Sequence, residues 1–243
     1  MTLVRDGTAT ELVRSRWRPL ATGAGVLWIV AGVAYLSLEA IAAAGYRGGY
    51  SYARNYISDL GVTRASMFEG RMIDSPRAVV MNTGFYLEGM LFLAAAVLAV
   101  RAFAGRRGWL FGGLAATHTI GNIVVGTIHG GGTEAASGSI QWHTIGAALA
   151  IVGGNATVLA GAGLSRQIGS PRWYRAVSVT LGVLGMSCLV MLLVDRGSTT
   201  VNLLPEGTWE RGSVYTVTAW ELVTGACLLT FTRRRERPAV LPA

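Results

Sequence analysis

Residues 20–45 read LATGAGVLWIVAGVAYLSLEAIAAAG, a stretch in which Glu39 is the one charged side chain. Because an α-helix rises about 1.5 Å per residue, roughly 20 apolar residues are enough to cross the hydrocarbon core of a bilayer. The apolar part of a cleaved signal peptide is shorter, at about 7–15 residues. We therefore predict that residues 20–45 form an uncleaved first transmembrane helix.

Five more stretches have the same apolar character, and they predict spans at about 78–100, 109–129, 139–163, 174–195 and 213–232. The whole chain is 51% hydrophobic and 14% charged, a composition outside that of ordinary soluble domains. The sequence thus predicts an all-α integral membrane protein, a bundle of six transmembrane helices. Its predicted parts are an N-terminal segment at 1–19, a membrane domain at 20–232 with an outer loop at 46–77, and a basic tail at 233–243.

The basic residues are unevenly distributed between the predicted loops. All 21 are arginines, and the net charge is +8. The two termini and alternate loops carry fourteen of them with three acids, whereas the other loops carry seven, offset by a similar number of acids. By the positive-inside rule both termini are predicted to be cytoplasmic, in a multi-pass protein of the plasma membrane. Arginines in short runs between spans do not form the solvated basic face of a nucleic-acid-binding protein, so no nucleic-acid partner is expected.

A few polar side chains fall inside the predicted spans, where they are costly and by default mark functional sites. Glu88 and Glu221 lie near the middle of their spans, so each needs a partner or a proton. His118, Asn122 and His129 lie on one face of the third span, because eleven residues make about three full turns, and we predict that this stripe is the polar seam of the bundle. Glu88 and Glu221 are used either for structural hydrogen bonds or, with His118, as a proton path.

Two further histidines lie at the outer surface, where His129 ends the third span and His143 opens the fourth. Two neighbouring imidazoles are potential ligands of a divalent metal such as zinc. His118 is too distant to join them, because the eleven residues before His129 correspond to roughly 16 Å of straight helix. Three uses stay open for the histidines: interhelical hydrogen bonds, an outer metal or acid–base site, and haem ligation.

The outer loop contains the segment NYISDLG at 55–61. Ser58 and Asp59 place a hydroxyl beside a carboxylate at the membrane level of the two outer histidines, where a general base would be needed. The same residue types are typical of a local turn. We expect the segment to fold back onto the bundle, with Asp59 either in a reactive site or paired with Arg54 or Arg211.

Three pieces of the sequence resemble one known family. They are NYISDLG at 55–61, His143-x-x-Gly146-Ala147 at the start of the fourth span, and Glu210-Arg211 with Tyr215 and Trp220 in the sixth. Over roughly 25–232 the chain resembles the bacterial and archaeal membrane proteins grouped as domain of unknown function 998. This resemblance implies a fold and a topology, and it implies no assigned activity.

Two looser likenesses bear on function. The Ile-Ser-Asp segment after a first helix is similar to that of the Frag1/DRAM/Sfk1 proteins, some of which are tied to lipid or lipid-anchor remodelling. The supply of Ser, Asp and His also resembles that of membrane hydrolases of the alkaline-ceramidase type. The Ser-x-x-x-His and His-x-x-x-His spacings of that group are absent from this sequence.

The leading hypothesis is a membrane protein with an outer-facing polar pocket that binds or processes a lipid or lipid-linked molecule. If it processes the molecule, it would be a membrane-embedded hydrolase or transferase. The predicted catalytic residues are Ser58, Asp59 and His143; the predicted substrate-binding residues are Arg54, Asn55, Glu88, His118, Asn122, Glu210 and Arg211; the predicted metal ligands are His129 and His143. The alternatives are a proton-coupled small-molecule transporter and a non-catalytic subunit of a membrane complex. Membrane lipids are the expected partners.

Overall fold

The computed structural model describes residues 6–103, 108–164, 170–198 and 203–234. The seven helices of this part are α1 (Asp6–Ala43), α2 (Ala78–Phe103), α3 (Gly108–Thr127), α4 (Gly132–Ser137), α5 (Ile140–Leu164), α6 (Arg172–Gly197) and α7 (Glu206–Arg234). A 3₁₀ turn at Ser58–Gly61 and a hairpin of β1 (Ser66–Phe68) and β2 (Arg71–Ile73) lie between α1 and α2. The helical character predicted from the sequence is confirmed.

Four of these helices are long and apolar enough to cross a membrane, namely α1 from Trp17 onward, α2, α5 and α6. The other two long helices, α3 and α7, do not reach the same hydropathy. In α3 the apolar residues are diluted by His118, Asn122 and glycines, and α7 carries acids and Arg211. The structure therefore supports a helical membrane protein with four apolar spans, and two of the six predicted spans are helices of a more polar kind.

The long helices form a closed ring. Each packs against the next in the order α1, α2, α3, α5, α6, α7, and α7 returns to α1, while α5 also touches α7. Near one end the interior is an aromatic cluster in which the rings of Trp28 and Trp220 lie 5.2 Å apart and Phe92 and Phe111 pack around them. Near the other end the core consists of Tyr35, Phe85 and residues of the segment between α1 and α2.

Glycines allow α3 and α5 to approach closely. A Cβ atom on Gly121 would overlap the backbone nitrogen of Ala150, and one on Gly153 would lie 2.7 Å from the backbone nitrogen of His118. Small residues of this kind let helix backbones pack in contact within a bilayer. The close approach sets the His118 ring directly against the backbone of α5.

Residues 44–77, which we call the cap, close one end of the ring. The hairpin turns at Glu69 and Gly70, which both have positive φ, 49° and 73°. The segment predicted to fold back does so: Ile57 and Asp59 are each 1% exposed and Leu60 is fully buried. Apolar side chains of the cap are thus buried, whereas in a free loop they would be exposed to water.

The first helix begins before the predicted first span, so residues 6–19 belong to the same helix as the span, while the predicted division into segment, membrane domain and tail stays a prediction. Helix α1 begins at Asp6 and runs through Pro19 to Ala43 without interruption. The apolar pattern marks where a span enters the bilayer, whereas backbone hydrogen bonding continues past that point. At the other end α7 reaches Arg234, and the remaining predicted tail, 235–243, lies outside the described residues.

Candidate functional site

A cavity lies inside the ring directly beneath the cap, and we call it the capped cavity. Its empty volume, which includes the solvent at its opening, is about 540 Å³. Most of its wall is apolar, and the polar groups are concentrated at its two ends. The lining comprises Tyr35, Ile57, Ser58, Phe85, Glu88, His118, Asn122, Val125, Ala147, Ala150, Ile151, Glu210, Ser213, Val214 and Val217.

The end of the cavity away from the cap is formed by His118, Glu88 and Asn122. The His118 Nδ1 lies 2.7 Å from the carbonyl oxygen of Ala150, and because a carbonyl can only accept, Nδ1 carries the hydrogen. The other ring nitrogen, Nε2, lies 3.2 Å from the Asn122 amide nitrogen and 3.8 Å from Glu88 Oε1. The imidazole is therefore hydrogen-bonded to the Asn122 amide, and the Glu88 carboxyl lies nearby at a distance longer than a hydrogen bond.

A second buried acid, Glu221 of α7, stands beside this group. It lies close enough to Glu88 for the two carboxyl groups to interact. Neither oxygen of Glu221, nor Oε2 of Glu88, has a hydrogen-bond partner in the described part of the chain. Two buried acids thus meet here without a donor of their own.

At the cap end, Asp59 organises the turn above the cavity. Its Oδ2 accepts hydrogen bonds from the Asn55 side chain and the Tyr56 backbone N–H, both at 3.1 Å, and lies 3.6 Å from Arg71 Nε. Burial raises the pKa of the Asp59 carboxyl above its ordinary value, against the opposing effects of Arg71 and the two hydrogen bonds. Asp59 pairs with Arg71 rather than with Arg54 or Arg211, so those two predicted pairings are wrong.

Arg211 fastens α7 to the cap and to α1. It donates to the carbonyl oxygens of Tyr52, at 2.5 Å, and Asn55, at 2.7 Å, and forms an ion pair with Glu39. The Tyr215 hydroxyl donates to the other Glu39 oxygen at 2.8 Å. These bonds give both terminal nitrogens of the guanidinium fixed partners, which is the pattern of a structural arginine, while Nε has no hydrogen-bond partner within the described residues.

Helix α7 holds the cap at two more points. Glu210 accepts a hydrogen bond from the Ile57 backbone N–H at 2.5 Å, and Glu206 accepts one from the Tyr56 hydroxyl. The guanidinium of Arg71 lies over the Tyr56 ring, 4.7 Å from its centroid. The cap is thus tied to α7 directly above the cavity.

His129 and His143, which the sequence predicts at the outer surface, form a separate polar cluster. His143 Nδ1 donates to the Ile128 carbonyl at 2.6 Å, and His129 contacts Asn82 at 3.2 Å and Glu134 at 3.5 Å. Over the described ranges, no group of three or more His, Cys, Asp or Glu side chains is arranged to hold a metal ion. The donor set is therefore poor for zinc, which binds three or four protein ligands, and the zinc prediction has no structural support.

The signature of the family described as protein of unknown function (DUF998) matches residues 29–227. The chain belongs to the DUF998 family. The matched residues include the cap, the capped cavity and both histidine clusters. No curated protein and no solved structure shows significant similarity to the chain. The likeness to Frag1/DRAM/Sfk1 proteins therefore stays a prediction.

In this DUF998 member, the cavity brings together only part of the predicted site. The predicted residues that line it are Ser58, Glu88, His118, Asn122 and Glu210. Asn55, Asp59 and Arg211 hold the cap in place, Arg54 is exposed, and His129 and His143 lie in the other cluster. The predicted catalytic set of Ser58, Asp59 and His143 is not gathered around the cavity, because only Ser58 lines it.

The sequence reasoning missed several residues that shape the site. Tyr35 and Phe85 form part of the wall, and their patterning within apolar spans gave no sign of it. Arg71 was missed as the partner of Asp59, although the Glu69-Gly70 pair is typical of a tight turn that would bring β2 back toward the segment. Glu39 was noted as an acid within a span, but its arginine partner lies 172 positions away.

Proposed function

We propose that this membrane protein binds a lipid or another amphipathic molecule in the capped cavity. The observation that carries the proposal is the distribution of polarity along the wall. Tyr35, Phe85, Val125 and Ile151 offer an apolar surface, while Glu88, His118 and Asn122 present hydrogen-bonding groups at one end. A molecule with an apolar body and one polar group matches such a wall.

The same proposal includes the topology. Six long helices cross the plasma membrane, both termini are cytoplasmic and the cap is outside. Two observations support this arrangement: α3 and α7 occupy places in the same ring as the four apolar helices, and the arginines are concentrated at one side. The polar side chains of α3 and α7 face the cavity and the cap, where they avoid lipid.

Binding is better supported than hydrolysis or group transfer. A serine nucleophile needs a base within hydrogen-bond reach, and none of the hydrogen bonds in the described chain joins the Ser58 hydroxyl to a histidine. His118 lines the cavity with Ser58, but its Nδ1 donates to the Ala150 carbonyl and its Nε2 lies 3.2 Å from the Asn122 amide nitrogen. His143 is not among the residues that line the cavity. The lipid-processing prediction therefore becomes a prediction of lipid binding.

A second candidate function is proton-coupled transport. It is favoured by the position of the Glu88, Glu221 and His118 group, which lies deep in the ring between the capped cavity and the aromatic cluster around Phe92. A transporter needs its coupling groups at such a depth. Ligand binding in the cavity is common to both candidates.

Native mass spectrometry of the purified protein tests the binding proposal. We expect a retained lipid or amphipathic molecule in the wild type and its loss in Val214→Trp, which fills the cavity. The matched control is Val183→Trp in α6, where the valine is 52% exposed. This variant should keep the bound molecule. If Val214→Trp does not fold, Ala147→Leu fills less of the same wall. Equal retention in the cavity and surface variants would contradict the proposal.

A further inference from the structure

The capped cavity has an excess of acidic groups. Glu88 and Glu210 line it and Glu221 is buried beside Glu88, while His118 is the one lining residue in the described chain that can become a cation. The nearest arginines are already neutralised. Arg211 is paired with Glu39 at 3.1 Å, and Arg71 is paired with Asp59 at 3.6 Å.

Part of this acidic group lacks any partner of its own. Glu88 is 4% exposed and lines the cavity, yet its Oε2 has no donor within the described residues. Glu221 is fully buried, and neither of its oxygens has a donor within the described residues. A buried carboxyl group must either hold a proton or face a cation. The cavity is therefore a place where a cation gains more than an anion or a neutral molecule.

The wall also suits the body of an organic cation. Tyr35 and Phe85 both line the cavity, with ring centroids 6.1 Å apart. Aromatic faces attract positive charge and also pack against apolar groups. A hydrated metal ion would find no such advantage, because most of the lining offers no oxygen or nitrogen ligand.

We propose that the ligand of the capped cavity is an amphipathic organic cation, an apolar body bearing one amine-derived or similar monovalent charge, held by the buried carboxyl group of Glu88. This inference rests on the proposed function and names the chemical class of its ligand.

Few titratable side chains of the described chain share the surroundings of Glu88. His118 of α3, Glu210 of α7 and Tyr35 of α1 line the cavity with it, and Glu221 of α7 interacts with it. Helix α5 contributes Ala147, Ala150 and Ile151 to the wall and no titratable side chain, and Asp59 of the cap is engaged with Arg71.

Calorimetry in detergent with tetraphenylphosphonium and tetraphenylborate tests the charge preference, since the two ions have nearly the same shape and opposite charge. We expect the phosphonium to bind at least tenfold more tightly than the borate. Glu88→Gln should lower its affinity at least tenfold. Asp74→Asn removes an acid that is paired with Arg47 in the cap, away from the cavity, and should leave the affinity unchanged.

A second arm asks whether the cation belongs to a membrane lipid or to a free molecule. In nanodiscs, retention of stearylamine over stearyl alcohol, detected by native mass spectrometry, would assign the charge to a lipid chain. Binding of tetraphenylphosphonium without preference for stearylamine would assign it to a free organic cation. Both results support the shared chemistry.

Equal binding of the two tetraphenyl ions, abolished by Val214→Trp, would overturn the cation assignment and leave the cavity as a binding site. Failure to bind either ion, together with no retained molecule in the wild type, would overturn both proposals. If Glu88→Gln does not fold, Glu221→Gln and the comparison of the two ions on the wild type keep the test decisive.

Discussion

Arg211 of α7 and Glu39 of α1 form an ion pair with 3.1 Å between Nη2 and Oε1, in which the two side chains are only 8% and 1% exposed. The pair joins the last long helix of the ring to the first. Arg211 also donates hydrogen bonds to the carbonyls of Tyr52 and Asn55 in the cap. One side chain therefore joins α7 to α1 and holds the cap over the cavity.

Removal of this arginine should be strongly destabilising. In Arg211→Ala the Glu39 carboxylate is left buried without its cation and two cap carbonyls lose their donor, so we expect a loss of about 3–5 kcal/mol. Thermal or chemical unfolding in detergent measures it. The matched control is Arg54→Ala, on an exposed arginine of the cap, for which a change within about 0.5 kcal/mol is expected. A similarly small loss of unfolding free energy in both variants would argue that the Arg211–Glu39 pair does not stabilise the contact between α7 and α1.

Asp59 should act through its two hydrogen bonds. Asp59→Ala leaves the Asn55 amide and the Tyr56 N–H without an acceptor, which should lower the unfolding free energy by about 1–3 kcal/mol. Asp59→Asn keeps an acceptor and should lose less. If both variants had the same unfolding free energy as the wild type, the turn would not depend on this acceptor.

The pH dependence of the cap follows from the same side chain. The folded protein raises the pKa of Asp59 above its unfolded value, so the folded state binds the proton more tightly. The resulting stabilisation is present below about pH 4 and is lost as the pH rises through the raised pKa. Comparing unfolding between pH 4 and pH 8, we expect Asp59→Asn to lose this component. If the unfolding free energy instead rose with pH in the wild type and not in Asp59→Asn, the direction of this pH dependence would be the opposite of the one expected.

The contact of α3 with α5 should tolerate no side chain at Gly121. Gly121→Ala places a Cβ atom against the backbone of Ala150, and overpacking of this kind costs about 1–3 kcal/mol. Gly112→Ala, in the same helix, meets nothing within 4 Å and should be neutral or slightly stabilising. Unfolding in detergent distinguishes the two, and equal stability would mean that the helices can separate without cost.

The outer histidine cluster should behave as structure rather than as a zinc site. His143→Ala removes the donor to the Ile128 carbonyl and is expected to cost about 1–3 kcal/mol. Added zinc or a chelator should leave the unfolding temperature of the wild type unchanged. A zinc-dependent rise that disappears in His143→Ala would restore the metal prediction for His129 and His143.

The topology makes a prediction that depends on no ligand. Reporters fused after residue 243 and inserted near Gly105 should both be cytoplasmic, while a reporter near Ser66 in β1 should be outside. Accessibility of each reporter in intact cells measures this. An external signal at residue 243 would be incompatible with six spans.

Local pattern was a reliable guide where a property depends on neighbours along the chain. The apolar stretches predicted all six long helices, and the i, i+4 spacing placed His118 and Asn122 on one face, where they are hydrogen-bonded. The turn-forming residues of 55–61 together with aromatic neighbours indicated a folded segment rather than a free loop. Such features follow from helix geometry and from the hydrophobic effect, which act at every residue in turn.

Pairings between distant residues could not be read in the same way. Glu39 and Arg211, or Glu88 and Glu221, meet only because α7 packs against α1 and closes the ring. Asp59 meets Arg71 only because the hairpin turns at Glu69 and Gly70. The sequence by itself determined the helices, the membrane class and the family; the tertiary structure alone decided that Ser58 and Glu210 share a cavity with Glu88, His118 and Asn122. The reason is that periodicity records which face of a helix is apolar, whereas the neighbour of that face depends on how all the helices pack at once.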